Sequence, residues 1–160
     1  PHMSFRTLPT FVFETRRALS LSVDGTVYSI GSSKCGSHGL KESVEEPKMI
    51  PNLKHIKSIA VGRSHSVCLD QDGNIFTFGD NSEGALGIGV DRNTLQYTHI
   101  PHKVNLPPCI QISCGCDFTI CLSETFILYS FGRNTNGQLG LGNDEENYNS
   151  PQKIESLKDV

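Results

Sequence analysis

The sequence predicts an all-β protein made of stacked, four-stranded antiparallel blades. The first observation is a recurring aromatic stretch closed by glycine: Val27-Tyr28-Ser29-Ile30-Gly31, Ile75-Phe76-Thr77-Phe78-Gly79 and Leu128-Tyr129-Ser130-Phe131-Gly132. Its closing glycines stand 48 positions apart from Gly31 to Gly79 and 53 apart from Gly79 to Gly132. A period of about 50 residues marks supersecondary units that bury their apolar faces only against neighbours. The second is an upstream apolar run, Ile59 to Leu69, echoed by Ile112 to Leu122. The third is a short run led by proline, with basic and apolar residues after it, expected to be a proline-led fourth strand: Pro47-Lys48-Met49-Ile50, Pro101-His102-Lys103-Val104 and Pro151-Gln152-Lys153-Ile154. Aromatic and β-branched runs cut by Gly, Pro and Asp-Gly are strand signals, and four short strands per unit make a propeller blade.

Along the chain, Pro1-His2-Met3 reads as a cloning remnant before an initiator methionine. Three units follow, a degenerate one over 4–57 and two fuller ones over 58–110 and 111–160. The run from Leu8 to Phe13 is broken by Pro9 and followed by Arg16-Arg17, so it does not resemble a secretory signal. No apolar run approaches the roughly 18 residues a membrane span needs, which leads to the expectation of an intracellular protein, cytoplasmic or nuclear, without a membrane partner. In the second unit a strand ends at Val61, Gly62-Arg63-Ser64 turns, His65 to Leu69 returns, Asp72-Gly73 turns again, and Ile75 to Phe78 leads to Gly79. Gly84, Gly87 and Gly89 then punctuate a long loop; the third unit repeats the pattern with Gly115, Gly132, Gly137, Gly140 and Gly142. Such a loop must turn sharply in a crowded place, which favours glycine, and Asn81 and Asn134 are expected to bond its backbone as Asx turns. No amphipathic helix follows the glycines, so they do not form a phosphate cradle. The expected core comprises Val27, Ile30, Val61, Val67, Leu69, Ile75, Phe76, Phe78, Leu86, Ile120, Leu122, Tyr129, Phe131 and Leu139.

The string GRSHSVCLDQDGNIFTFGDNSEGALGIG, from Gly62 to Gly89, resembles the repeat of the regulator of chromosome condensation family. The resemblance runs from about Ala18 to Val160 on three nested signals: Gly-x-x-His-Ser, Asp-Gly, and aromatic-Gly-x-Asn-x-x-Gly-x-Leu-Gly-x-Gly. Trp is absent and no Gly-Gly doublet occurs, which disfavours two other propeller repeats. Departures are visible too. Ile30, Phe78 and Phe131 stand where the family has Trp; Glu14 and Arg17 replace Gly62 and His65 in the first unit; Phe118 and Glu124-Thr125 replace His65 and Asp-Gly in the third. The resemblance implies a seven-bladed propeller, of which 160 residues supply about three blades. The chain is then the first part of a longer protein, or closes a ring with partner copies, or forms an open arc whose end faces self-associate.

Chemistry is mostly excluded by pattern. Fourteen Lys and Arg against seventeen Asp and Glu give a net charge of −3, which provides no general field for nucleic acid. The basic clusters Arg16-Arg17, Lys54 to Lys57 and His102-Lys103 read as solvated turns, and the acidic runs Glu42 to Glu46 and Asp144-Glu145-Glu146 as solvated loops. Cys35, Cys68, Cys109, Cys114, Cys116 and Cys121 include no Cys-x-x-Cys spacing, so buried free thiols are expected rather than a metal site or disulfides, with Cys114 and Cys116 on one strand face. Ser66 after His65 lacks the context of an activated nucleophile, and no catalytic residue, metal or cofactor is assigned.

Two function classes remain. One is a protein-interaction module whose rim loops bind a protein partner. The other, implied by the family resemblance, is guanine nucleotide exchange on a small GTPase of the Ran type. Arg63 and Ser64, with their counterparts Cys116 and Asp117, are the expected partner-binding residues, because equivalent turns emerge on one rim while their residues differ between units. Charge reversal at Arg63 and Asp117 is expected to weaken partner capture and leave the melting temperature nearly unchanged.

Overall fold

The computed structural model describes residues 10–14, 16–32, 35–144 and 147–155; the stretch Pro1-His2-Met3 read as a cloning remnant and the Glu145-Glu146 part of the acidic run lie outside the described residues. Twelve strands and, among the described residues, no helix make up three four-stranded antiparallel sheets. The first contains β1 (Thr10–Glu14), β2 (Arg17–Leu21), β3 (Val27–Gly31) and β4 (Val44–Met49). The second contains β5 (Ile56–Val61), β6 (His65–Asp70), β7 (Ile75–Asp80) and β8 (Tyr97–Lys103). The third contains β9 (Cys109–Cys114), β10 (Phe118–Ser123), β11 (Leu128–Gly132) and β12 (Tyr148–Lys153). Each sheet keeps sequence order, as a meander must when every connection joins neighbours. Strand β5 packs on β1 and β2, and β9 on β5 and β6, so the sheets touch through their early strands.

The fourth strands correct one expectation. Pro47, Pro101 and Pro151 lie inside β4, β8 and β12 rather than leading them. These are outer strands, where a missing N–H is tolerated, and the register with the third strand slips nearby in all three sheets.

Burial shows where the blades cover one another. Every residue of β6 is buried, because the middle sheet is sandwiched. In β10 the burial alternates: Thr119, Cys121 and Ser123 are buried, whereas Ile120 and Leu122 are half-buried. Their equivalents Val67 and Leu69 are fully covered, since they pack with Cys121 and Phe131 of the third sheet. Leu19, Val27 and Ile50 form the matching cluster with Ile59, Cys68 and Phe78 across the first junction. Each such side chain contributes roughly 1.5–3 kcal/mol when fully removed from water. Thus eight of the expected core positions, Val27, Val67, Leu69, Ile75, Phe78, Leu86, Phe131 and Leu139, are buried. Ile30, Val61, Phe76, Ile120, Leu122 and Tyr129 are half-buried, Ile30 with the Phe11–Phe13 face of the first sheet and Ile120 with Leu122 on the open face of the third.

Hydrogen bonds add direction to these apolar contacts. Ser66 Oγ donates to the Ser37 carbonyl at 2.6 Å, and its equivalent Thr119 Oγ1 to the Ala85 carbonyl at 3.1 Å, so each sheet grips the loop of the preceding one. A second clamp runs the other way. Arg17 donates from Nη2 to the carbonyls of Gly62 (3.0 Å) and His65 (2.8 Å), and from Nη1 to that of Arg63 (3.3 Å) and to Ser37 Oγ (2.7 Å). At the same position in the second sheet, His65 Nε2 lies 3.0 Å from Thr119 Oγ1. Because the Thr119 proton goes to Ala85, His65 is the donor in that contact. Glycine accompanies the ring: a Cβ on Gly62 would come within 2.3 Å of His65 Cε1, and one on Gly115 within 1.9 Å of Phe118 Cε1. The first sheet replaces this pair by Glu14 and Arg17, whose charged groups approach to 4.0 Å.

The Asp-Gly turns fall at Gly25 and Gly73, with φ of 84° and 85°. In the third sheet the turn pair is Thr125-Phe126 rather than the expected Glu124-Thr125, because Phe126 takes the glycine's place at φ 60° and is 74% exposed. A bulky residue in the left-handed region costs about 1–2 kcal/mol, which explains why glycine fills the other two turns.

Two measurements check this account. Gly62→Ala should destabilise the chain by about 1–3 kcal/mol in chemical denaturation, because the new methyl overlaps the buried His65 ring while the backbone there needs no unusual φ. Burial, aided by the Arg17 charge, lowers the His65 pKa to about 4. The unfolded imidazole takes a proton below about 6.5, so stability is complete above that pH and is lost as pH falls toward 4. His38, also lowered by burial, acts in the same direction. Thermal unfolding between these pH values should show a falling melting temperature, with a smaller fall for His65→Gln.

Candidate functional site on the inter-blade rim

Strands one and three of each sheet run in the same direction, so the first turn and the long glycine-rich loop emerge on the same side. One backbone bond joins them in all three sheets: Ser32 N–H to the Arg16 carbonyl (2.9 Å), Asp80 N–H to Ser64 (2.8 Å) and Arg133 N–H to Asp117 (2.9 Å). The loop is held from within. Asn81 Nδ2 donates to the carbonyls of Val90 and Leu95, and Asn134 Nδ2 to that of Asn143. These asparagines therefore tie the two ends of the loop together instead of making Asx turns. Asx-type bonds belong to Asp80, whose Oδ1 accepts the Ser82 N–H at 2.7 Å, and to Asp91, whose Oδ1 accepts the Asn93 N–H at 2.8 Å.

Of the four residues expected to meet a partner, Arg63, Cys116 and Asp117 come together. The Arg63 N–H donates to the Cys116 carbonyl at 2.8 Å, and Arg63 Nη2 lies 2.8 Å from Asp117 Oδ2. Arg133 Nη1 lies 3.8 Å from the same oxygen. The Arg63 side chain is nevertheless 60% exposed and Cys116 is exposed, whereas Asp117 is buried between its two arginines. Replacing Asp117 by lysine would set a third cation between two others, so the expected neutrality of that change toward stability does not hold. Ser64 is half-buried and lines a cavity with Arg63 and Arg16 at the first junction.

Arg17 was read as part of a solvated basic turn, and the structure buries it at the first junction. Its place in the repeat was the available signal, because it occupies the position of His65. Burial lowers its pKa, against the opposing pull of Glu14.

The thiols divide. Cys68, Cys109 and Cys121 are buried, Cys35 and Cys114 intermediate, all free. Cys116 departs from the expectation of a buried thiol on one face with Cys114, because β9 ends at Cys114 and the chain turns before Cys116. Desolvation pushes the Cys114 thiol up to about 12, and Cys68 and Cys121 in the same direction, which keeps them protonated and unreactive. Ser66 has its hydroxyl proton committed to the Ser37 carbonyl, and the adjacent His65 ring is engaged by Thr119, so the pair forms no nucleophile and base. Among the described residues no group of three or more His, Cys, Asp or Glu could hold a metal, and no helix is long and apolar enough to cross a membrane.

Comparison with known proteins agrees with this architecture. The Regulator of chromosome condensation (RCC1) repeat matches residues 24–69, 72–122 and 127–160. Human Protein RCC2 is 34% identical over 144 residues, which cover 86% of this chain and 27% of that protein. The mouse Secretion-regulating guanine nucleotide exchange factor is 33% identical over 145 residues, covering 88% of this chain and 31% of its own length. The crystal structure of Prp20p from Saccharomyces cerevisiae, described with its binding to Gsp1p and histones, superposes with a TM-score of 0.79 at 26% identity. It is matched over 91% of this chain and 37% of its own. The chain thus spans about a quarter to two fifths of the length of these relatives. With three matched repeats, three blade-forming sheets and the shared glycine-closed strands, the chain belongs to the RCC1-repeat family of β-propeller proteins.

Proposed function

We propose that this chain is the protein-interaction part of an RCC1-repeat propeller, and that it docks a protein through the rim carrying the 62–64 and 115–117 turns. The observation that carries this reading is the bond from Arg63 N–H to the Cys116 carbonyl, which fixes two equivalent turns side by side on a clamped scaffold. A partner would therefore meet Arg63 and Cys116 already positioned, and preorganisation reduces the entropy lost on docking. Binding without covalent chemistry also agrees with the engaged Ser66 and His65. Guanine nucleotide exchange on a small GTPase is the second reading, favoured by the relatives named for exchange activity and for binding Gsp1p. In that case the same rim would press on the GTPase.

Arg63→Asp combined with Asp117→Arg reverses the pair while keeping opposite charges together. Pull-down with the double variant should lose the partners captured by the wild type; because the arginine introduced at 117 also faces Arg133, Arg63→Gln, which leaves Asp117 paired with Arg133, is run beside it and should weaken the same capture with a melting temperature within a few degrees of the wild type. Recovery of the same proteins would sink the assignment of this rim. Nucleotide release from a small GTPase, measured with the wild-type chain, separates the two readings: acceleration supports exchange.

The end faces support a further expectation. Phe11 and Phe13 stack on the first sheet at 58% and 74% exposure, and Ile120 and Leu122 remain half-covered on the third. Light scattering should report species larger than a monomer at high concentration. A strictly monomeric chain under those conditions would contradict it.

A further inference from the structure

The two blade junctions differ in charge on the rim, and that difference points to the chemistry of the partner. At the first junction a cavity of about 310 Å3 is lined by Arg16, Arg17 and Arg63 against one carboxylate, Glu14, with Ser37 and Ser64 adding hydroxyls. Arg17 forms the buried floor. Its Nη atoms are committed to Ser37 Oγ and three backbone carbonyls, its Nε is buried without a partner, and Glu14 comes no nearer than 4.0 Å. The full positive charge is thus balanced mainly by neutral dipoles, and in a partly enclosed site its field extends into the cavity. Arg16 is exposed and makes no ion pair among the described residues, and Arg63 is tied on one side to Asp117. At the second junction the same repeat position carries the imidazole of His65, a donor to Thr119, and the rim there holds the buried carboxylate of Asp117 between Arg63 and Arg133, which pairs those cations internally.

We propose that the cavity between the first and second blades receives a carboxylate side chain from an acidic segment of the docked protein. This rests on the rim-docking reading and adds the chemical class of the partner. Guanidinium groups fit a carboxylate through paired N–H donors. Guanidinium groups also pair with phosphate, but the backbone N–H groups of Ser32 and Arg63, which a phosphate cradle would add, are bonded to the carbonyls of Arg16 and Cys116, so competition by inorganic phosphate is the arm of the test that separates the two anions.

The test is a fluorescence-anisotropy titration of the chain into fluorescein-labelled decaglutamate at low salt. Arg16→Glu and Arg16→Gln are compared with Lys153→Glu, a control on β12 whose native lysine pairs with Glu155 outside the cavity. Arg16→Glu should weaken binding about tenfold and Arg16→Gln by a smaller factor, while Lys153→Glu stays within about twofold of wild type. Inorganic phosphate should compete no better than chloride at matched ionic strength. Absence of decaglutamate binding, equal effects at Arg16 and Lys153, or selective displacement by phosphate would each overturn the proposal. If decaglutamate fails to bind while the Arg63/Asp117 exchange abolishes partner capture, the rim reading stands and only the carboxylate assignment falls. The opposite pair of results removes the rim reading and leaves an anion site.

Discussion

The structure depends on the hydrogen-bonded clamp between consecutive blades. Apolar faces alone would hold the sheets together without fixing how far one slides along the next, because burial is nearly indifferent to small shifts. The hydroxyls of Ser66 and Thr119 remove that freedom by donating to one defined carbonyl in the preceding loop, that of Ser37 or Ala85. Buried polar groups must be satisfied, so a slide that broke these contacts would leave a carbonyl and a hydroxyl without partners at a cost of roughly 1–3 kcal/mol each. The long loops are anchored by the same bonds, which ties rim geometry to blade packing.

The reverse clamp varies in chemistry at a constant position. Arg17 satisfies three carbonyls across the first junction and the Ser37 hydroxyl of its own sheet's loop, whereas His65 bonds Thr119 across the second. The local backbone changes with it: Gly62 and Gly115 leave room for a ring, and Glu14 accompanies the arginine. A guanidinium stays charged at any ordinary pH while a buried imidazole sheds its proton. One substitution within a repeat therefore gives neighbouring junctions different electrostatics on a common scaffold.

The outer edges are treated differently from the junctions. β4, β8 and β12 each carry a proline and a register slip, which interrupt the row of donors and acceptors that an added strand would need. Lateral pairing through the blade edges is thereby discouraged. The open faces of the first and third sheets have no such protection, and Phe11, Phe13, Ile120 and Leu122 stay in partial contact with water.

Fold class, strand order and repeat positions were legible because each is set locally: alternating apolar runs make strands, and glycine closes them where the backbone requires it. The glycine pattern marked Gly62 and Gly115 as turn residues, whereas their close approach to the rings of His65 and Phe118 was visible only in the structure. Burial on the open faces was not legible, since Ile120 and Leu122 have the same character as Val67 and Leu69 and differ only in whether another sheet covers them. The turns chosen for the rim stand side by side in the structure, but the burial of Asp117 was not legible, because its charge in the sequence carries no sign that Arg63 and Arg133 converge on it. Arg17 shows the same limit. The sequence by itself determined that Arg17 occupies the repeat position of His65; only the tertiary structure decided that this position faces the next blade, where the carbonyls of Gly62, Arg63 and His65 converge and make burial of a cation tolerable.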